Sequence, residues 1–102
     1  MTIFKKIKHQ INNNLVLIYM KGTPDNPACN FSKKAVKILF KCCNKFAYVN
    51  ILNNPLIKLE LIKYSNWPTF PQIWINKKFI GGYDIIKYLY NTNELKKIIE
   101  NK

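Results

Sequence analysis

The sequence predicts an α/β fold in which a mixed four-stranded sheet is flanked by helices on both faces. Three observations carry that reading. Apolar residues alternate between helical spacing and short continuous runs, in the order α-β-α-β-α-β-β-α-α. The first two strands are joined through a helix, and strands joined by such a crossover connection are expected to be parallel. The last two are joined by a tight turn, which makes them antiparallel.

Each element follows from its local pattern. Over residues 2–13, Ile3, Phe4, Ile7 and Ile11 recur at helical spacing, and Asn12, Asn13 and Asn14 end the run. LVLIYM (15–20) is a short continuous apolar run, the mark of a strand buried on both faces. A loop with Gly22, Pro24 and Pro27 follows. Phe31, Ala35, Val36, Ile38, Leu39 and Cys42 then give a helix over about 29–43. FAYVNI (46–51) is the second strand. Asn53 ahead of Pro55 marks a helix start, with Asn as cap and Pro in the first turn, and that helix runs to about Tyr64. SNWPTFP (65–71) is irregular. QIWIN, Lys77 and KFIGG form a hairpin. Asp84 opens a short helix, and Asn93 caps the last one, with Leu95, Ile98 and Ile99 facing inward. This is a thioredoxin-like layout, and the 102 residues suit one domain, 1–102, with one core.

Composition narrows the function classes. Apolar residues make up 48%, too many for a disordered tail. No apolar run reaches the roughly 20 residues of a membrane span, and MTIFKKIKHQI lacks the apolar segment and cleavage site of a signal peptide. The expectation is a cytoplasmic protein without a membrane partner. The formal charge is +12. One reading of that charge is a nucleic-acid partner. The other, which we adopt, is compositional bias: every basic residue apart from His9 is Lys, Asn and Ile are abundant, and the lysines are scattered. No aromatic-interleaved nucleic-acid motif accompanies them. The three cysteines, Cys29, Cys42 and Cys43, are odd in number and two are adjacent, a poor disulfide framework that fits a reducing compartment.

The chemistry centres on Cys29. It falls where the first strand hands over to its helix, and free N–H groups with a partial positive charge at a helix start favour thiolate over thiol. Lys21 adds a cation. The alternative is an inert buried cysteine. Ser32 occupies the place where a disulfide exchanger carries its second cysteine. Cys42 and Cys43 lie roughly 20 Å away along the helix at 1.5 Å per residue, beyond disulfide reach, and are expected to serve core packing or the helix end. In WPTFPQ (67–72), a cis bond before Pro71 would leave the Phe70 backbone unpaired and facing Cys29, where an extended peptide docks as an added strand; a trans bond is the alternative. In IGGYD (80–84), two glycines admit a close ligand, and Asp84 caps a helix whose N–H groups hold a carboxylate; a plain turn with an N-cap is the alternative. Together these make a groove beside one thiolate, suited to a small thiol peptide bearing carboxylates, such as glutathione.

YMKGTPDNPACNFS, FAYVNIL followed by NP, WPTFPQIWIN and IGGYDI together resemble the monothiol glutaredoxins, the class named for a CGFS motif, over nearly the whole chain. The resemblance implies a homodimer bridging one 2Fe-2S cluster. Cys29 of each copy and the thiolate of one bound glutathione per copy would make the four ligands. It places glutathione at Lys21, Lys58, Phe70, Tyr83 and Asp84. The two lysines would meet the glycine carboxylate, Phe70 would offer its backbone to the cysteinyl part, and Tyr83 and Asp84 would receive the γ-glutamyl end. It implies as partners a BolA-type protein and apo-proteins that receive clusters. An alternative activity is glutathione-dependent reduction of mixed disulfides with Cys29 as the nucleophile. Two positions depart from the class. Asn30 replaces the motif glycine, where it either crowds the cluster or simply occupies a first helical turn. Tyr83 stands where the class often has cysteine, so no disulfide with Cys29 forms there.

Overall fold

A computed structural model describes residues 1–100. Its sheet runs from Ala47–Asn50 (β4) through Val16–Met20 (β1) and Gln72–Ile75 (β5) to Lys78–Gly81 (β6). β1 lies in the middle, parallel to β4 and antiparallel to β5, which pairs antiparallel with β6. The mixed sheet and the parallel pairing of β1 with β4 are as the element order predicts, and the fold is the thioredoxin-like one.

The continuous apolar run of β1 is explained by its two buried faces. Val16, Ile18 and Met20 point into one core with Ala35, Val36 and Leu39 of α2 (Asn30–Cys42), Ile86 of α4 (Tyr83–Asn91), and Leu95 and Ile99 of α5 (Glu94–Glu100). Leu17 and Tyr19 point into the opposite core with Ile7 and Ile11 of α1 (Ile3–Asn12) and Ile57 and Leu61 of α3 (Pro55–Ser65). Period-two alternation across the strand serves two apolar layers at once.

The ends of the elements differ from expectation in ways that bear on the site. The loop after β1 folds into a short hairpin of β2 (Gly22–Thr23) and β3 (Asn26–Pro27), which the sequence reading left irregular. The cap of α3 is Asn54 rather than Asn53, and its side chain donates to the Asn50 carbonyl at 2.9 Å instead of capping. Gly82, not Asp84, caps α4, and Asp84 sits inside the first turn. Asn93 precedes α5 with a left-handed φ of 62° while its N–H donates to the Tyr90 carbonyl. Leu95 and Ile99 are buried and Ile98, half-buried, packs against the same core, all three facing inward as expected. The β5–β6 turn consists of Asn76 and Lys77, both at positive φ, the mirror-image turn that matches strand twist.

Candidate functional site

Cys29 is the N-cap of α2, with extended backbone. Its Sγ accepts the Ser32 N–H at 3.4 Å and lies 3.3 Å from the Ser32 hydroxyl. Ser32 is fully buried, and its Oγ also accepts the Lys21 N–H at 3.2 Å. As a thiol, Cys29 donates to the Ser32 hydroxyl; as a thiolate it can only accept, and the hydroxyl then has its one proton to give to sulfur. Partial burial pushes the Cys29 thiol up. The Ser32 hydroxyl, the N–H groups of Ser32 and Phe31 and the Lys21 charge together outweigh that push, and the thiol ends below its ordinary range.

The hairpin after β1 brings these groups together. Ala28 N–H donates to the Lys21 carbonyl at 2.9 Å, so the chain leaves β1 and returns to the same point before α2 begins. Gly22 makes the return possible. Its φ is +89°, and a Cβ there would lie 2.6 Å from both Ala28 N and Asn26 O.

Beside the thiol runs an open groove of about 520 Å³. All five other residues singled out from the sequence, Lys21, Lys58, Phe70, Tyr83 and Asp84, line it, although they come from the end of β1, from α3, from the irregular segment and from the start of α4. Cys29 lies outside that lining. Phe31, two residues further on, is part of it. The Phe70–Pro71 bond is cis, and Phe70 N–H and C=O make no hydrogen bond among the described residues. Gly82 lets α4 close on the irregular segment, since a Cβ there would lie 3.3 Å from the Pro71 carbonyl. On the other wall the Tyr83 ring packs against Phe31 at 5.9 Å between centroids, with the Lys34 ammonium 5.7 Å above it.

Asn30 is the first residue of α2 and its side chain is exposed next to Cys29. Cys42 ends α2 and Cys43 caps it; both are half-buried against the α2-side core. Burial raises both thiols, the Cys42 charge adds to the rise at Cys43, and Cys43 S–H donates to the Leu39 carbonyl at 3.2 Å. They serve the packing and helix-end role expected of them.

Sequence reasoning missed Ser32 as a thiolate donor and saw only the cysteine it replaces. The signal was its position three residues after an N-cap, the spacing at which capping groups meet. It also set Phe31 in the apolar stripe of the helix, whereas Phe31 is exposed in the groove wall, and it gave no role to Trp67 in the same wall; groove walls leave no periodic trace. Among the described residues no three His, Cys, Asp or Glu side chains gather as a metal site, and no helix is long and apolar enough to cross a membrane.

The chain is similar to known proteins over most of its length. The glutaredoxin family pattern matches residues 16–80. Glutaredoxin 4 of Buchnera aphidicola subsp. Acyrthosiphon pisum is 60% identical over 99 residues, covering 97% of this chain and 92% of that protein. The solution structure of reduced poplar apo GrxS14 superposes with a TM-score of 0.85 at 39% identity, over 98% of this chain and 92% of that one. The crystal structure of a buckwheat glutaredoxin–glutathione complex superposes at 0.86 with 17% identity, over 97% and 88%, a likeness of fold alone.

Proposed function

The chain belongs to the glutaredoxin family, as a monothiol member with Ser32 in place of a second cysteine, and from that premise we propose that it carries a 2Fe-2S cluster and hands it to recipient proteins in the cytoplasm, with glutathione as co-ligand. The observation that carries the reading is one acidified thiol, Cys29, beside a groove lined by two cations, an unpaired backbone and a carboxylate. Lys21 and Lys58 suit the glycine carboxylate of glutathione. Phe70 N–H and C=O suit its cysteinyl backbone, in the manner of an added strand. The N–H groups at the start of α4 suit the γ-glutamyl carboxylate, and the Asp84 carboxylate its ammonium. The buckwheat protein, which shares this fold, was crystallised with that ligand.

The donor set fits a shared cluster and not a resident one. Each copy supplies one thiolate, and four are required. Two copies and two glutathiones complete the set, so the cargo-bearing form is a homodimer bridged by the cluster. Ser32 suits this task, because no neighbouring thiol displaces the cluster by forming a disulfide. A BolA-type protein and apo iron–sulfur proteins are the partners this role implies.

A second reading rests on the same acidified, partly exposed thiol. The Cys29 thiolate attacks the glutathione sulfur of a mixed disulfide and releases the protein thiolate. A second glutathione thiolate then attacks Cys29–S–SG, giving glutathione disulfide and regenerating Cys29.

Anaerobic reconstitution with iron, sulfide and glutathione, followed by visible absorption and size exclusion, separates the two. The carrier gives a coloured dimer that requires glutathione and is lost in Cys29→Ser. A colourless monomer under every condition, with turnover of a glutathionylated peptide, rejects the carrier in favour of the reductase.

A further inference from the structure

We propose that Gln72 is a positioning residue whose buried amide holds the Trp67–Phe70 segment in the shape that receives glutathione; this rests on the glutathione reading of the groove. Gln72 is fully buried, although it is the first residue of a strand otherwise made of Ile73, Trp74 and Ile75. An amide at such a position departs from the apolar pattern, and departures of this kind concentrate at functional sites. Its Nε2 donates to the Trp67 carbonyl at 3.0 Å and to the Thr69 carbonyl at 3.4 Å. Two carbonyls facing one amide nitrogen fix which end of the amide points there, since its oxygen would repel both. The Oε1 end is buried with no partner among the described residues. The side chain therefore satisfies the groove segment at the expense of its own second polar atom.

The segment needs such a clamp. Residues 67–71 lie outside helix and sheet, and Pro68 and Pro71 have no N–H, so the stretch builds no ladder of its own. Among the described residues its other hydrogen bonds are at Trp67, whose N–H donates to the Ile62 carbonyl at 3.3 Å and whose carbonyl accepts from Ser65 Oγ at 3.5 Å. Beyond Trp67 the Gln72 bond to Thr69 is the tie nearest Phe70, the residue that presents an unpaired backbone to the groove.

The test substitutes Gln72→Met, which keeps length and apolar bulk and removes both donors, with Gln72→Leu as the second variant, which removes the amide without adding any donor. Three quantities are read: glutathione affinity by calorimetry, alkylation of Cys29 by iodoacetamide, and backbone 15N order parameters of Trp67, Thr69 and Phe70. Glutathione affinity is expected to fall at least fivefold and the order parameters to drop from about 0.85 to below about 0.7. Cys29 alkylation stays within twofold, because the α2 start does not depend on this segment. Unchanged affinity and order parameters in either folded variant overturn the proposal, whatever the loss of melting temperature. If wild type itself does not bind glutathione, the groove reading falls, and the order parameters alone decide whether the clamp exists. In wild type, slow exchange of the Gln72 side-chain amide protons supports the clamp without any substitution, and rapid exchange refutes it.

Discussion

Ser32→Ala isolates the group that most directly favours the Cys29 thiolate. The substitution removes the hydroxyl 3.3 Å from Sγ and leaves the Ser32 N–H bond to sulfur and the Lys21 charge in place. A hydrogen bond to a charged group contributes about 1.5–3 kcal/mol. A long contact to a partly exposed sulfur falls below that range, at about 1 kcal/mol. That energy corresponds to roughly fivefold less thiolate at a pH below the thiol's own titration. The remaining thiolate is more basic and therefore more nucleophilic, and a Brønsted coefficient of about 0.45 returns close to twofold. Iodoacetamide should alkylate the variant about 2.5-fold more slowly in weak acid and about twofold faster in strong alkali, with the two rate–pH curves crossing between. Ser32 is buried, so unfolding is followed alongside to show that the variant is intact. Superimposable curves would refute the assignment of Ser32 as the thiolate's donor. A uniform slowing at every pH would point to altered access instead.

Lys21→Ala and Lys58→Ala should each weaken glutathione binding about two- to fivefold at low salt, with the difference from wild type shrinking at 1 M salt, measured by calorimetry. Gly22→Ala should cost about 3 kcal/mol in urea unfolding, because a side chain at φ +89° is strained and its Cβ would meet backbone at 2.6 Å; a loss under about 1 kcal/mol would contradict the tight return of the hairpin. Leu39→Ala, at a fully buried core position, should cost about 3 kcal/mol by the same measurement. The cysteines should impose opposite pH slopes on stability. Cys43 has a raised folded pKa, so its contribution is complete below the unfolded value of about 8.5 and is lost as pH rises through the folded one. Cys29 has a lowered folded pKa, so its contribution is present above the unfolded value and is lost as pH falls through the folded one. Urea midpoints against pH for Cys43→Ala and Cys29→Ser should therefore diverge from wild type in opposite senses.

Local pattern by itself determined the order of the elements, the mixed sheet and the place of Cys29 at a helix start, because hydrophobic period, turn residues and cap positions act over a few residues. The double-sided burial of β1 was legible in LVLIYM for the same reason. The motifs WPTFPQ and IGGYD pointed to Phe70, Tyr83 and Asp84 as site residues. That they share one groove with Lys21 and Lys58 is a matter of tertiary packing, since those residues lie as many as 63 positions apart along the chain. Packing also decided which face of α3 is inside. Its apolar residues run nearly all round the helix, and only contact with α1 and the sheet selects Ile57 and Leu61 for burial while Leu56 and Leu59 stay exposed. The Ser32 proton free for sulfur and the two carbonyls held by Gln72 belong to the same class. Each is a hydrogen bond whose partner is fixed by how distant or irregular segments meet, and no propensity or spacing along the chain encodes where a side-chain proton will point.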